Sequence, residues 1–511
     1  MKIKSLHIFS AISQHKLFVA FMLVHVCLSF YFISFQNITH DEPSYIEYSK
    51  RWLHGKPERI EPLDDSKTPI IAIVWLPRII RQIINPNYQL TDYGRQDQKE
   101  GRYMMIVFSI LTGIYLYKFL LLLNVKKWWA VFLFFIFDPL IMAYAVLINS
   151  DLASGFFLLA IIYYLYKYLY QASSKSFYLS CFFLSIGLVT KHTFLFFIPL
   201  FWVLIFIIIK RFEWKKLLHF IIIVLLVINV AFFCKDTSKT LGSYQFSSAS
   251  FISLQKKFSW LPIPVPASYI NSIDLLQYHA QLGGSSSNTY TGVYILRQIN
   301  LYDGFWYYYL VVSVYKIPIA ILILLLLGCV FAIVKYKPTH KKYWLLLVLP
   351  AIYFFLMLSF FNQFQIGIRH LLLIIPLLYV LLGITINKLL ESKAKWLVAF
   401  LWVGLVSSVM YYYPYIIPYT NELVGNKMKV YEKVMDSSID YGQSDSSAVQ
   451  FVKNNKAFSF ASANPTKGSL LLSMRKYIEL NKQADTSLNW LVKNHQPTGI
   501  YQGVYLIYII K

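Results

Sequence analysis

Asp41 and Glu42 stand side by side immediately after an apolar run, and a third acid, Asp151, sits at the end of another. Three cations, Lys191, Lys316 and Arg369, fall at the ends of further apolar stretches. Ionisable groups in such places are costly and usually either pair or work. A carboxylate fixed at a membrane surface by a rigid helix start can act as general base toward an acceptor hydroxyl. Arg and Lys fixed in a water-poor site stabilise a departing phosphate. Each residue also has a plainer account. Asp41 can cap a short helix, Ser44 to Leu53, with Pro43 in its first turn and Glu42 at the positive end of its dipole. Asp151 can be a solvated loop acid or a cap, Lys191 can mark a turn between two apolar runs, and Arg369 can snorkel. Taken together, the five at the outer ends of runs (Asp41, Asp151, Lys191, Lys316 and Arg369) can share one cavity.

The elements that must position them are membrane spans. The 511 residues are 57% apolar, 18% aromatic and only 14% charged, against roughly 25% charged in a soluble domain. That excludes a soluble multidomain enzyme, and disordered and fibrous classes with it. Apolar runs predict about eleven helices, at Leu17 to Phe35, Met104 to Leu123, Trp128 to Ile148, Leu152 to Tyr170, Phe177 to Val189, Phe194 to Ile209, Leu217 to Phe233, Tyr308 to Val334, Trp344 to Phe361, Leu371 to Ile386 and Trp396 to Tyr413. Asp138-Pro139 inside the third predicts a kink or a break. The expectation is an all-α polytopic membrane protein over residues 1–413, with large loops at about 36–103 and 234–305. A small mixed α and β domain follows over 414–511.

Charge sets the expected sidedness. The net charge of +24, from 48 Lys and Arg against 24 Asp and Glu, would make nucleic acid a candidate partner for a soluble protein. Here, with Met1 cytoplasmic, the inside segments hold nineteen cations, among them Lys335, Lys337, Lys341 and Lys342, and only Glu213 and Glu391 as acids. The positive-inside rule then puts both loops and the C-terminal domain outside a cell membrane, with no nucleic-acid partner. Twenty-one of the 24 acids face outward in this arrangement. The first span is too long for a signal-peptide core and reads as an uncleaved anchor. The four cysteines lie in or beside apolar spans and suggest neither disulfides nor a thiolate metal site. Pro69 to Ile84, with Arg78 and Arg81, reads as an interfacial helix beside which a lipid-linked substrate would enter.

The order of motifs adds to this. Asp41-Glu42 after the first span, Asp138-Pro139 and Asp151 about the third, Gly187 to Lys191 as GLVTK, Leu261 to Pro266 as LPIPVP, Lys316-Ile317-Pro318, Gly367 to His370 as GIRH, and Asp436 to Gln443 as DSSIDYGQ occur in sequence. In this the chain resembles the bacterial family 39 glycosyltransferases of the GT-C membrane fold, relatives of dolichyl-phosphate-mannose protein mannosyltransferases and of lipid A aminoarabinose transferase. The likeness runs from about Thr39 to Gln443. It departs at Lys67-Thr68-Pro69, where the family pattern has a Pro-Pro pair, and at Tyr441, where it has tryptophan.

The resemblance implies a polyprenyl-phosphate-linked sugar donor, an extracytoplasmic protein, lipid or glycan acceptor, and inversion at the anomeric carbon. It implies Asp41 as base, Glu42 as supporting acid, Asp151 in a positioning role, and Arg369, Lys191 and Lys316 as ligands of the donor phosphate. No metal and no cofactor is expected. The competing readings are a transporter or lipid flippase, which calls for ionisable groups near the midplane, and a non-catalytic partner carrying the same fold.

Overall fold

The computed structural model describes residues 2–60, 64, 67–88, 98–282, 293–300, 304–334, 344–362, 365–481 and 487–511. Lys335, Lys337, Lys341 and Lys342 lie outside the described residues. The chain is mostly helical. α1 (Lys2–Phe35) leads into a first loop carrying α2 (Glu42–Leu53) and α3 (Leu76–Ile84), followed by α4 (Gln98–Leu122), α5 (Trp128–Ile136), α6 (Pro139–Tyr144), α7 (Asp151–Gln171), α8 (Ser174–Thr190), α9 (Phe194–Ile209) and α10 (Trp214–Ala231). A second loop carries α11 (Ala249–Lys257) and α12 (Ala267–Gln281), and α13 (Tyr308–Lys316) and α14 (Ile319–Val334) come next.

Among the described residues, four helices are long and apolar enough to cross a membrane: α1 from Gln14, α4, α7 and α10. α13 and α14 make a fifth if joined, bent by 117° at their break. Pro318 causes that break, because it has no N–H to continue the ladder and holds Ile317 extended at φ −80°, ψ 132°. α8, α9 and the helices Leu345–Phe361, Ile375–Leu390 and Lys395–Met410 are apolar but shorter. By length alone the expected count of about eleven is therefore not reached. One reason is explicit. The third expected span divides at Asp138, whose Oδ1 accepts from Leu140 N at 2.7 Å and Ile141 N at 3.3 Å and so caps a new helix.

Burial separates the central helices from the peripheral ones. In α7, 78% of the most apolar window is buried, which fits a helix that is apolar on every side. In α10 the figure is 11%. Its Leu218, Ile222, Leu226 and Val230 are exposed and recur every four residues, an apolar stripe suited to lipid contact. The expected interfacial helix is half that. Pro69–Trp75 is a 3-10 segment that buries Ile71, Val74 and Trp75, and only α3 exposes apolar side chains, Ile80, Ile83 and Ile84.

Among the described residues the C-terminal part holds four strands in the order β3-β4-β6-β5, namely β3 (Phe458–Phe460), β4 (Gly468–Ser473), β5 (Gly499–Tyr501) and β6 (Tyr505–Ile510), after a small hairpin of β1 (Val293–Ile295) and β2 (Gln298–Asn300) in the second loop. β3 is parallel to β4, whereas β6 is antiparallel to both β4 and β5. A bridge from Ile295 to Val434 ties the hairpin to the segment that leads into this sheet.

Candidate active site

Asp41 occupies the position before α2, yet its side chain makes no cap hydrogen bond. The capping account therefore fails, and the carboxylate points elsewhere. Its Oδ2 accepts from Arg369 Nη1 at 3.1 Å and from the Tyr441 hydroxyl, and Arg369 Nη1 also donates to that hydroxyl. Three residues far apart in the chain thus share one corner. Burial acts to raise the Asp41 carboxyl, but the Arg369 guanidinium, the Lys67 ammonium and the two donated hydrogen bonds outweigh it and hold the group well below the usual carboxylate range. For Tyr441, burial first and the nearby Asp41 charge keep the phenol protonated well above its ordinary range.

Glu42 behaves differently from the supporting acid expected of it. It is 1% exposed and accepts five hydrogen bonds: from Arg102 Nε at 2.8 Å and Nη2 at 2.6 Å, Thr39 N at 2.8 Å, Thr39 Oγ1 at 3.0 Å and Ile148 N at 3.1 Å. Arg102 also donates to the carbonyls of Gln36 and Asn37 at 2.8 and 2.7 Å. A carboxylate so engaged has no lone pair for substrate. Its work is to clamp the 36–42 turn onto α4 and the segment before α7, which aims Asp41. Arg102 is the residue that sequence reasoning missed here, and its only signal was a cation near the start of an apolar run.

Arg369 lies in a 3-10 segment, Ile368–Leu373, just after Gly367. Gly367 has φ +110°, and a Cβ there would sit 2.8 Å from Asp436 Oδ1, so only glycine fits. Asp436 in turn accepts from Tyr308 OH at 2.6 Å and Ser438 N at 2.7 Å. Gly442 is likewise a place for glycine, with φ +78° and the His40 ring lying where a Cβ would go. His40 N donates to Tyr441 O at 2.9 Å. These contacts set the Tyr441 hydroxyl over Asp41.

The other expected site residues divide into two places. Asp151 Oδ1 and Lys191 Nζ pair at 2.7 Å across the start of α7 and the end of α8. Asp151 also lies within the field of Arg369. Lys316 is 1% exposed, and its ammonium donates to Ile417 O at 3.0 Å and Ser438 O at 2.6 Å. Two carbonyls thus take two of its three donors, and it braces the 436–443 loop from behind.

Two further features could not be seen in the sequence. Lys67 is 5% exposed, with its ammonium 4.2 Å from the Tyr45 ring centroid, and its charge reaches Asp41. Three buried donor-bearing groups near this corner, Arg369 Nε, Asn149 Nδ2 and Tyr144 OH, have no hydrogen-bond partner among the described residues. Buried donors are almost always satisfied, and a group of them without partners suits an oxygen-rich, anionic ligand.

No family model matches the chain, and no curated protein matches it. Among solved structures, ArnT from Cupriavidus metallidurans in the apo state is similar over 98% of this chain and 98% of that one, at 10% identity and a TM-score of 0.49. ArnT from Cupriavidus metallidurans bound to undecaprenyl phosphate is similar over 96% and 97%, at 10% identity and a TM-score of 0.46.

Proposed function

We propose that the chain is a multi-pass membrane glycosyltransferase that moves a sugar from a polyprenyl-phosphate donor to a hydroxyl of an extracytoplasmic acceptor, with inversion. The observation that carries this is a partly exposed carboxylate, Asp41, set directly against a fixed cation, Arg369, and within the field of a second, Lys67, beside unpartnered buried donors. In the transfer, the acceptor oxygen bonds to the anomeric carbon while the bond from that carbon to the phosphate oxygen breaks on the opposite face. The electron pair leaves on the phosphate, which Arg369 and Lys67 stabilise, and the acceptor proton passes to Asp41.

A single displacement suits these residues. Retention needs a second carboxylate as nucleophile about 5 Å from the first, and Glu42 is saturated while Asp151 is tied to Lys191. We assign Asp151 the work of holding Lys191 at the edge of the phosphate site. Against transport, Asp138, the acid expected inside a span, is consumed as a helix cap and by Tyr379 OH at 2.7 Å. The test is to incubate the purified protein with a panel of polyprenyl-phosphate sugars and candidate protein, lipid and glycan acceptors, and to identify products by mass. Transfer of an intact sugar, lost in Asp41→Asn, is the expected result. Absence of any product across the panel counts against the proposal.

A further inference from the structure

We propose that the Tyr441 hydroxyl is a positioning group that holds the acceptor's place: it donates to Asp41 and accepts from Arg369, so that Asp41 is freed as a base only when a donor phosphate draws Arg369 away. This rests on the reading of Asp41 as base and Arg369 as phosphate ligand given above.

The geometry supports it in three ways. First, Tyr441 and Arg369 both donate to the same oxygen, Asp41 Oδ2. An acceptor hydroxyl donating to Oδ2 must take the place of one of them. Second, the Arg369 to Asp41 contact of 3.1 Å is longer than the roughly 2.7 to 2.9 Å of a tight charge-assisted bond. Arg369 also has a buried Nε without a partner, so a phosphate gains a donor that Asp41 does not use. Third, the tyrosine is fixed from behind. Its N–H donates to Gln443 Oε1 at 2.5 Å, its carbonyl accepts from His40, and its ring lies 4.9 Å from the guanidinium carbon of Arg369. The hydroxyl is therefore aimed, and it belongs to this chain, since a tryptophan at position 441 would place none there.

The order of events is set by charge. Before the donor binds, a carboxylate paired with a guanidinium and a phenol is a weak base. Once a phosphate monoanion neutralises Arg369, the basicity of Asp41 rises, and the acceptor hydroxyl displaces Tyr441. Its oxygen then bonds to the anomeric carbon, the carbon–phosphate oxygen bond breaks with its pair left on phosphate, and its proton goes to Asp41. Donor binds first and acceptor second.

The experiment measures binding of decaprenyl phosphate, without any sugar, to the purified full-length chain and to Tyr441→Phe, which changes no charge. Because Tyr441→Phe removes the hydroxyl that accepts from Arg369 Nη1, Arg369 is expected to turn to the phosphate more readily and the variant to bind it about five- to tenfold tighter than the parent, the scale of one hydrogen bond. Tyr441→Trp fills the space without that hydroxyl and is expected to behave as Phe does. Parental affinity in Tyr441→Phe overturns the inference while leaving the proposed function in place, and so does a return to parental affinity in Tyr441→Trp. If the parent binds no decaprenyl phosphate, the proposed function falls and the inference with it. With a working donor and acceptor, the acid limb of kcat should lie at higher pH than that of kcat/KM, because the donor-bound state has lost its free Arg369 charge. Tyr441→Phe should move the kcat/KM limb upward, and superimposable profiles overturn the inference.

Discussion

Asp41 has two donors on one oxygen, and no hydrogen bond to the other is seen among the described residues. Asp41→Asn should lower turnover by about 10²- to 10⁴-fold, the usual worth of a general base, while polyprenyl-phosphate binding survives; single-turnover assays beside equilibrium binding distinguish the two. Lys67→Met should weaken that binding and leave the fold intact, because among the described residues its ammonium makes one cation–π contact and no hydrogen bond. Retained affinity in that variant would remove Lys67 from the phosphate site. Asp41 and Arg369 were legible in the sequence because ionisable groups beside apolar runs are conspicuous. Their partners were not. Tyr441 and Lys67 look ordinary in their own surroundings, and Glu42 looked like the twin of its neighbour until its five hydrogen bonds turned it inward.

Those five bonds also explain why the turn before α2 is stiff. A buried ion pair adds little over a well-packed apolar pair, yet removing one partner leaves the other charge stranded, at about 3 to 5 kcal/mol. Glu42→Leu should therefore destabilise the chain by about that amount, and pairing it with Arg102→Met should recover much of the loss. Thermal unfolding of the two single variants and the double variant measures this, and additive losses would show that the pair is not a unit. At the level of elements, the long apolar helices and the break at Pro139 were readable from hydropathy and proline chemistry, whereas the sequence reading ran one span from Tyr308 to Val334 straight through the break at Pro318. The 3-10 segments at Pro69–Trp75 and Ile368–Leu373 were not. Packing against neighbours sets their geometry, and apolar content alone does not report it.

Across the whole molecule, the C-terminal part docks on the first loop through polar contacts. His40 meets Asp445 at 3.2 Å and Arg475 Nη1 at 2.9 Å, and within the C-terminal part Tyr505 OH donates to Asp445 at 2.8 Å and Ser473 Oγ to Asp440 at 3.0 Å. Burial, helped by the neighbouring Asp445 charge and opposed by a bond from Gly442 N–H, pushes the Asp440 carboxyl up to about 6 from an ordinary 3.8. The folded chain then holds a proton that the unfolded chain releases between those values, so stability falls as pH rises through that window. Asp440→Asn should flatten the slope of melting temperature against pH between about 4 and 6, and an unchanged slope would assign it to another group. Sidedness has its own test: a cysteine placed at the exposed His54 should react with an impermeant maleimide from outside intact cells, above the background of the four native cysteines.

The bond from His40 N to Tyr441 O joins an early stretch of the polypeptide to one made some four hundred residues later. During synthesis Asp41 emerges 328 residues before Arg369 and 400 before Tyr441, so its corner is completed late. On the proposed function, a nascent chain already threaded into the bilayer is thus unfinished as a catalyst until that loop has been made and locked into place.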